Sequence, residues 1–186
     1  MKNIAILASG SGTNAEAIAK HLEHHTDLNI ALIASNKDNA YVLRRAEKLG
    51  IASVVFSSSE LRDGNLLQVL KSYNIDYIIL AGFLLKIPVS LVTAFPNKII
   101  NIHPALLPKY GGKGMYGGYV HQSVIENKEK ESGITIHYVN ENFDEGEIIF
   151  QASCSISSED TAESLAEKIH KLEHNHFPKI IETLWG

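Results

Sequence analysis

Lys98-Ile-Ile-Asn-Ile-His-Pro-Ala-Leu-Leu-Pro108 is an apolar run that ends on two polar side chains, Asn101 and His103, and is stopped by proline. Ile99 and Ile100 are adjacent rather than alternating with polar residues, the pattern of a strand buried on both faces. Pro104 has no N–H to give a ladder, so the strand must end there. An amide and an imidazole delivered to the C-terminal end of a buried strand is how open α/β sheets present functional groups. The same two residues could also do no more than cap a turn.

Upstream, short β-branched runs alternate with helical patterns. The expected strands are Ile4–Ala8, Asn29–Ala34, Ser53–Phe56, Tyr77–Leu80 and Ile99–Ile102. Helices are expected over Asn14–Glu23, Tyr41–Leu49, Leu61–Ser72 and Val89–Ala94, with Gly50 placed to end the second. This order predicts a parallel sheet with right-handed crossovers and helices on both faces. Downstream the character changes. Gly111–Gly118 holds five glycines and reads as either a lid or an idle surface loop. Gly133–Tyr138 and Glu147–Cys154 read as two further strands, joined through a turn at Phe143–Gly146. A last helix starts near Thr161 with Leu165, Ile169 and Leu172 as its apolar stripe, and Pro178 is expected to kink or divide it.

Composition narrows the function classes. The 186 residues suit one domain, expected to divide into a phosphate-binding half over 1–100 and a catalytic half over 101–186. Net charge is −4 with no basic block, so no nucleic-acid partner is expected. Cys154 is the sole cysteine, which rules out an internal disulfide framework and a cysteine-rich zinc site. The apolar run at Met1–Ser9 is short for a signal peptide, and no span is long enough for a membrane helix. The expected setting is cytoplasmic.

Ser9-Gly-Ser-Gly-Thr-Asn14 joins the first strand to the first helix. Gly10 and Gly12 allow a tight turn, and the helix N-terminus attracts an anion. With Ala15 the loop fits the loose dinucleotide pattern G-x-G-x-x-A, but the second strand ends on Ala34-Ser35-Asn36 rather than on the acidic residue that would hold a ribose. A single phosphomonoester suits the loop better. His170-Lys-Leu-Glu-His174 matches H-x-x-E-H. Only Glu182 is at hand as a third ligand, and on the same helix, so no metal is expected. Asp144, before Glu145-Gly146, reads as a turn former.

Ser9–Asn14, Ala81-Gly-Phe83, Asn101–Tyr110, Gly133–Asp144 and the last helix through Glu173-His174 together resemble the folate-dependent formyltransferases, in particular those acting on glycinamide ribonucleotide in purine biosynthesis. The resemblance spans almost the whole chain. It implies an open Rossmann-like sheet, mostly parallel with an antiparallel C-terminal part. It implies transfer of a formyl group from the co-substrate 10-formyltetrahydrofolate to the amine of glycinamide ribonucleotide, by a monomer or homodimer. By the same resemblance Asn101, His103 and Asp144 are catalytic, with Asp144 expected to favour the imidazolium form of His103. Gly12, Thr13 and Asn14 would hold the phosphate, and His170 and Glu173 the rest of the nucleotide. The folate would lie against Leu84, Leu85, Lys86, Ile87, Asn101, Val139, Asn140, Glu141, Asn142, Phe143 and Asp144. Ala105 and the pair Leu84-Leu85 depart from the residues frequent in that family. A formyl-folate hydrolase and a methionyl-tRNA formyltransferase are the alternatives within the fold; each commonly carries an additional domain, for which the chain has no expected room. A non-catalytic nucleotide-binding module would leave Asn101 and His103 unused.

Overall fold

The computed structural model describes residues 1–186. Its seven strands form one sheet in the order β3-β2-β1-β4-β5-β6-β7. The first five are parallel: β1 (Lys2–Leu7), β2 (Leu28–Ser35), β3 (Ser53–Val55), β4 (Ile75–Leu80) and β5 (Ile99–His103). Then β6 (Glu131–Tyr138) and β7 (Ile148–Ser155) continue the sheet in antiparallel fashion. The chain winds outward from β1 to β3, then returns to place β4 on the other side of β1. That reversal opens a crevice beyond the carboxyl ends of β1 and β4, the usual ligand position in such sheets.

Strand periodicity assigns each face of the sheet its own core. Ile4, Ile6, Ile33 and Ile79 meet α1 (Thr13–His21), α2 (Tyr41–Lys48), α6 (Gly118–Glu126) and α7 (Ala162–Trp185). On the opposite face Ala5, Leu7, Leu32 and Ile78 meet α3 (Ser58–Arg62), α4 (Asn65–Ser72) and α5 (Val89–Ala94). Ile4, Ile6 and Leu7 have no exposed surface, and each such side chain contributes about 1.5–3 kcal/mol by leaving water.

Three expectations change. The helix expected over Leu61–Ser72 is two helices, because Gly64 takes φ 85° between them while Leu61, Leu66 and Leu70 still face the core. Pro178 does not divide α7, which runs unbroken from Ala162 to Trp185. Phe177, Pro178 and Ile181 are all buried, so packing along this face offsets the missing backbone bond. Helix α6 was not expected at all. It begins at Gly118, directly after the glycine-rich segment.

Candidate active site

A cavity of about 730 Å³ fills the crevice at the carboxyl ends of β1, β4 and β5. One end is made by the loop Ser9–Asn14. Gly12 caps α1 at φ 74°, a left-handed conformation that glycine adopts without penalty. A Cβ there would also collide with the Val42 side chain. The loop is braced from outside: Val42 N donates to Gly10 O at 3.1 Å and Arg45 Nε to Ser11 O at 2.8 Å. Ser9 Oγ donates to Asn36 Oδ1 at 2.6 Å and accepts from Leu84 N at 3.0 Å, tying the ends of β1, β2 and β4 together. Asn36, at the position a dinucleotide site would give to an acid, is thus part of the brace. The first N–H groups of α1 have no helical carbonyl to bond and are free for an anion.

Side chains make the other end. Asn101 and His103 are two apart on β5 and share a face, and β6 brings His137 directly opposite Asn101. Asn101 Nδ2 donates to His137 Nε2 at 3.1 Å and to Asp144 Oδ1 at 3.4 Å. His137 Nδ1–H points to Tyr138 O at 2.8 Å, so Nε2 is left as the acceptor. Asp144 sits in the turn after β6 at φ 56°, a conformation that Asp tolerates better than most residues. Its Oδ2 accepts from Gly112 N at 3.0 Å and lies 3.6 Å from His103 Nδ1. His103 Nε2–H donates to Tyr110 O at 2.7 Å. Asp144 thus occupies a turn, as its Glu-Gly context predicts, and its carboxylate lies beside both Asn101 and His103.

Burial pushes the His103 imidazole below its ordinary value, and the Asp144 charge and Tyr110 carbonyl only partly oppose it. Asp144 does favour the imidazolium, as expected, but His103 is 3% exposed, and desolvation outweighs this one anionic neighbour. Burial also works against ionisation of Asp144, but the N–H donors around it, from Gly112 and Asn101, favour the carboxylate, and its carboxyl lies below the usual range. The resting pair is a carboxylate facing a neutral ring whose free lone pair is on Nδ1.

Gly111–Gly118 is neither detached nor idle. Gly112, Lys113, Gly114, Met115, Tyr116 and Gly117 form a wall of the cavity, anchored through Tyr110 and Gly112 to His103 and Asp144. On α7, Glu173 is buried and its Oε2 accepts from Asn14 Nδ2 at 2.9 Å, joining the last helix to the loop. Burial raises the Glu173 carboxyl, against the Asn14 hydrogen bond and His170. His170 lines the same cavity, whereas His174 does not.

A second, narrow cleft of about 60 Å³ opens on the other side of Asn101 and Asp144. Leu85, Lys86, Ile87, Val139, Asn140, Asn142 and Phe143 line it, so these residues expected against the folate lie together. Leu84 faces the larger cavity, and Glu141 is exposed and lines neither. Phe83, Asn101, Phe143 and Asp144 belong to both walls.

The formyl transferase family profile matches residues 2–181. The chain belongs to the formyl transferase family.

Among relatives, it is 38% identical to the phosphoribosylglycinamide formyltransferase of Bacillus subtilis (strain 168), over all of this chain and 96% of that one. It is also 38% identical to the chloroplastic phosphoribosylglycinamide formyltransferase of Arabidopsis thaliana over 98% of its length, and it spans only 65% of that protein. Among solved structures, glycinamide ribonucleotide transformylase 1 of Geobacillus kaustophilus superposes with a TM-score of 0.91 at 34% identity, each chain fully covered. The mixed seven-stranded sheet is thus a formyl transferase fold, as expected.

For a formyl transferase the sequence reading left several site residues unnamed. His137 was legible only as one position in the row Thr135, His137, Val139; its role needed the register that sets it across from Asn101. Tyr110 and Gly112 act through backbone atoms, which leave no side-chain signature. His121, on the unexpected α6, is buried against the large cavity. No helix is long and apolar enough to cross a membrane.

Proposed function

We propose that this chain transfers the formyl group of 10-formyltetrahydrofolate to the amine of glycinamide ribonucleotide, giving the formylated ribonucleotide and tetrahydrofolate. The observation that carries this reading is that the two cavities share Asn101 and Asp144 as a common wall. A nucleotide in the larger space, with its phosphate on Gly12, Thr13 and Asn14 and its ribose by Glu173 and His170, would bring its amine to that wall. A folate in the cleft between Leu85–Ile87 and Val139–Phe143 would present its formyl carbon from the other side.

In the reaction the amine nitrogen forms a bond to the formyl carbon, the carbon–nitrogen bond to the folate breaks, and one proton passes from amine to folate nitrogen. His103 Nδ1, unprotonated at rest, and the Asp144 carboxylate are both placed to take that proton. Once His103 is charged, Asp144 stabilises the imidazolium, and the pair returns the proton to the leaving nitrogen. Charge developing on the formyl oxygen needs a donor. Asn101 Nδ2 supplies one by giving up its longer bond, the 3.4 Å contact to Asp144, while the His137 bond holds the amide in place. No metal enters this scheme. The lone half-buried cysteine, Cys154, accords with a reducing cytoplasmic setting.

The test is to follow tetrahydrofolate release with and without glycinamide ribonucleotide. Release that requires the amine, with formylated product in equal amount, is the expected result. Release without it would identify a hydrolase instead.

A further inference from the structure

Helix α6 brings one polar group to the cavity that the chemistry above leaves unused. His121 is 5% exposed, lines the large cavity, and has its Nδ1 fully enclosed without a hydrogen-bond partner. Buried polar atoms are rarely left unbonded unless something else is gained. An enclosed N–H without a partner is rarer than an enclosed acceptor, so the ring keeps its lone pair on Nδ1 and its proton on Nε2. Charging the ring would place a second, unbonded N–H in the interior. Consistent with this, burial and the neighbouring His170 and His103 push the ring down to about 4. His121 is therefore neutral near pH 7, and with Nδ1 enclosed it can offer the cavity only its Nε2 edge, which is a donor.

The rest of the cavity constrains what that donor meets. The loop at Gly12–Asn14 provides for the phosphate, Glu173 for hydroxyls, and Asn101, His103 and Asp144 for the amine. Asn14 Oδ1, the other unbonded buried atom on this wall, belongs to the loop itself. The acceptor's remaining polar group is the amide that joins its sugar to the amine. His121 shares the cavity lining with His170, on the nucleotide side, and His103, on the reacting side. We propose that His121 is a specificity residue whose Nε2–H donates to the amide carbonyl oxygen of the acceptor, fixing the distance between sugar and amine. This rests on the function proposed above.

The variants His121→Phe and His121→Gln test it, because Phe keeps a ring without a donor and Gln can place an amide N–H near the position of Nε2. For His121→Phe the KM for glycinamide ribonucleotide should rise roughly ten- to hundredfold, the effect of leaving a buried carbonyl unpaired. The KM for the formyl donor should change little. The melting temperature without ligand should stay level or rise, since an unbonded polar atom is removed. His121→Gln should recover most of the lost affinity. An unchanged KM for the acceptor in His121→Phe would overturn the proposal, as would equal losses for both substrates with a lowered melting temperature. Wild-type protein that shows no saturable acceptor binding would defeat the parent assignment, and His121 with it.

Discussion

The two ends of the large cavity are built on different principles. The Ser9–Asn14 end, and the binding proposed there, rests on backbone N–H groups at a helix start, shaped by Gly12 and braced by Val42, Arg45 and Ser9. The Asn101–His103–Asp144 end rests on side-chain atoms from a strand, a turn and the glycine-rich wall, each oriented by another. A backbone site is sensitive to shape and tolerant of side-chain chemistry. A side-chain cluster is the reverse: isosteric changes that keep the fold intact can remove its activity.

The contrast is broken most sharply at Asp144. Asp144→Asn preserves shape and removes the carboxylate, so kcat should fall on the order of a hundredfold or more while both dissociation constants change modestly, as for other acid–base groups. His103→Ala should be comparably damaging, and the double variant should lose far less than the product of the two. Near-wild-type kcat in Asp144→Asn would mean that the turn is only architectural.

At the other end the ranking of shape over chemistry can be tested directly. Gly12→Val places its Cβ against Val42 and forces a β-branched residue to a positive φ. It should therefore lower stability by about 1–3 kcal/mol or more, and any loss of binding will be inseparable from that. Asn14→Ala removes the bond to the buried Glu173 carboxyl, so it should lower the melting temperature modestly, by less than Gly12→Val, and weaken acceptor binding by roughly tenfold, the scale of one lost hydrogen bond. Calorimetric titration beside thermal melts separates the two variants. Equal melting temperatures for Gly12→Val and wild type would refute the packing account.

The smallest effect expected is a slope against pH. The folded-state pKa of Glu173 is raised, so its contribution to stability is present in full below the ordinary carboxylate value of about 4.3 and is lost as pH rises through the raised one. Glu173→Gln should flatten that part of the stability–pH curve without ligand. A curve of unchanged slope would count against a buried, reluctantly ionised carboxyl.

How much of this could be read beforehand follows the same division. The parallel strands were legible because doubly buried strands write themselves as runs such as Ile78-Ile79-Leu80 and Ile99-Ile100. The loop at Ser9–Asn14 was legible because glycine at the end of such a strand has few other uses. The cluster was legible only in part. Asn101 and His103 are close in sequence, but Asp144 lies 41 positions beyond His103, and its place beside them came from family resemblance, not from spacing. The effect of Asp144 on His103 was legible from their chemistry, whereas the burial that outweighs it is a property of the assembled sheet. Helix α6 was hidden by Gly117 and Gly118, which ordinarily argue against a helix start. Gly64 hid the break between α3 and α4, because the apolar stripe continues across it.

The far end of α7 carries an experimental convenience. Trp185 is the sole tryptophan, is 4% exposed, and stacks on Tyr77 with ring centroids 4.3 Å apart. Lys2 Nζ donates to its carbonyl oxygen at 2.7 Å, which seats the helix end on the opening strand. Trp185 and Tyr77 line neither ligand cavity. Indole emission from this one residue thus registers whether the closing helix is docked. It gives an optical readout of unfolding whose baseline substrates should leave in place.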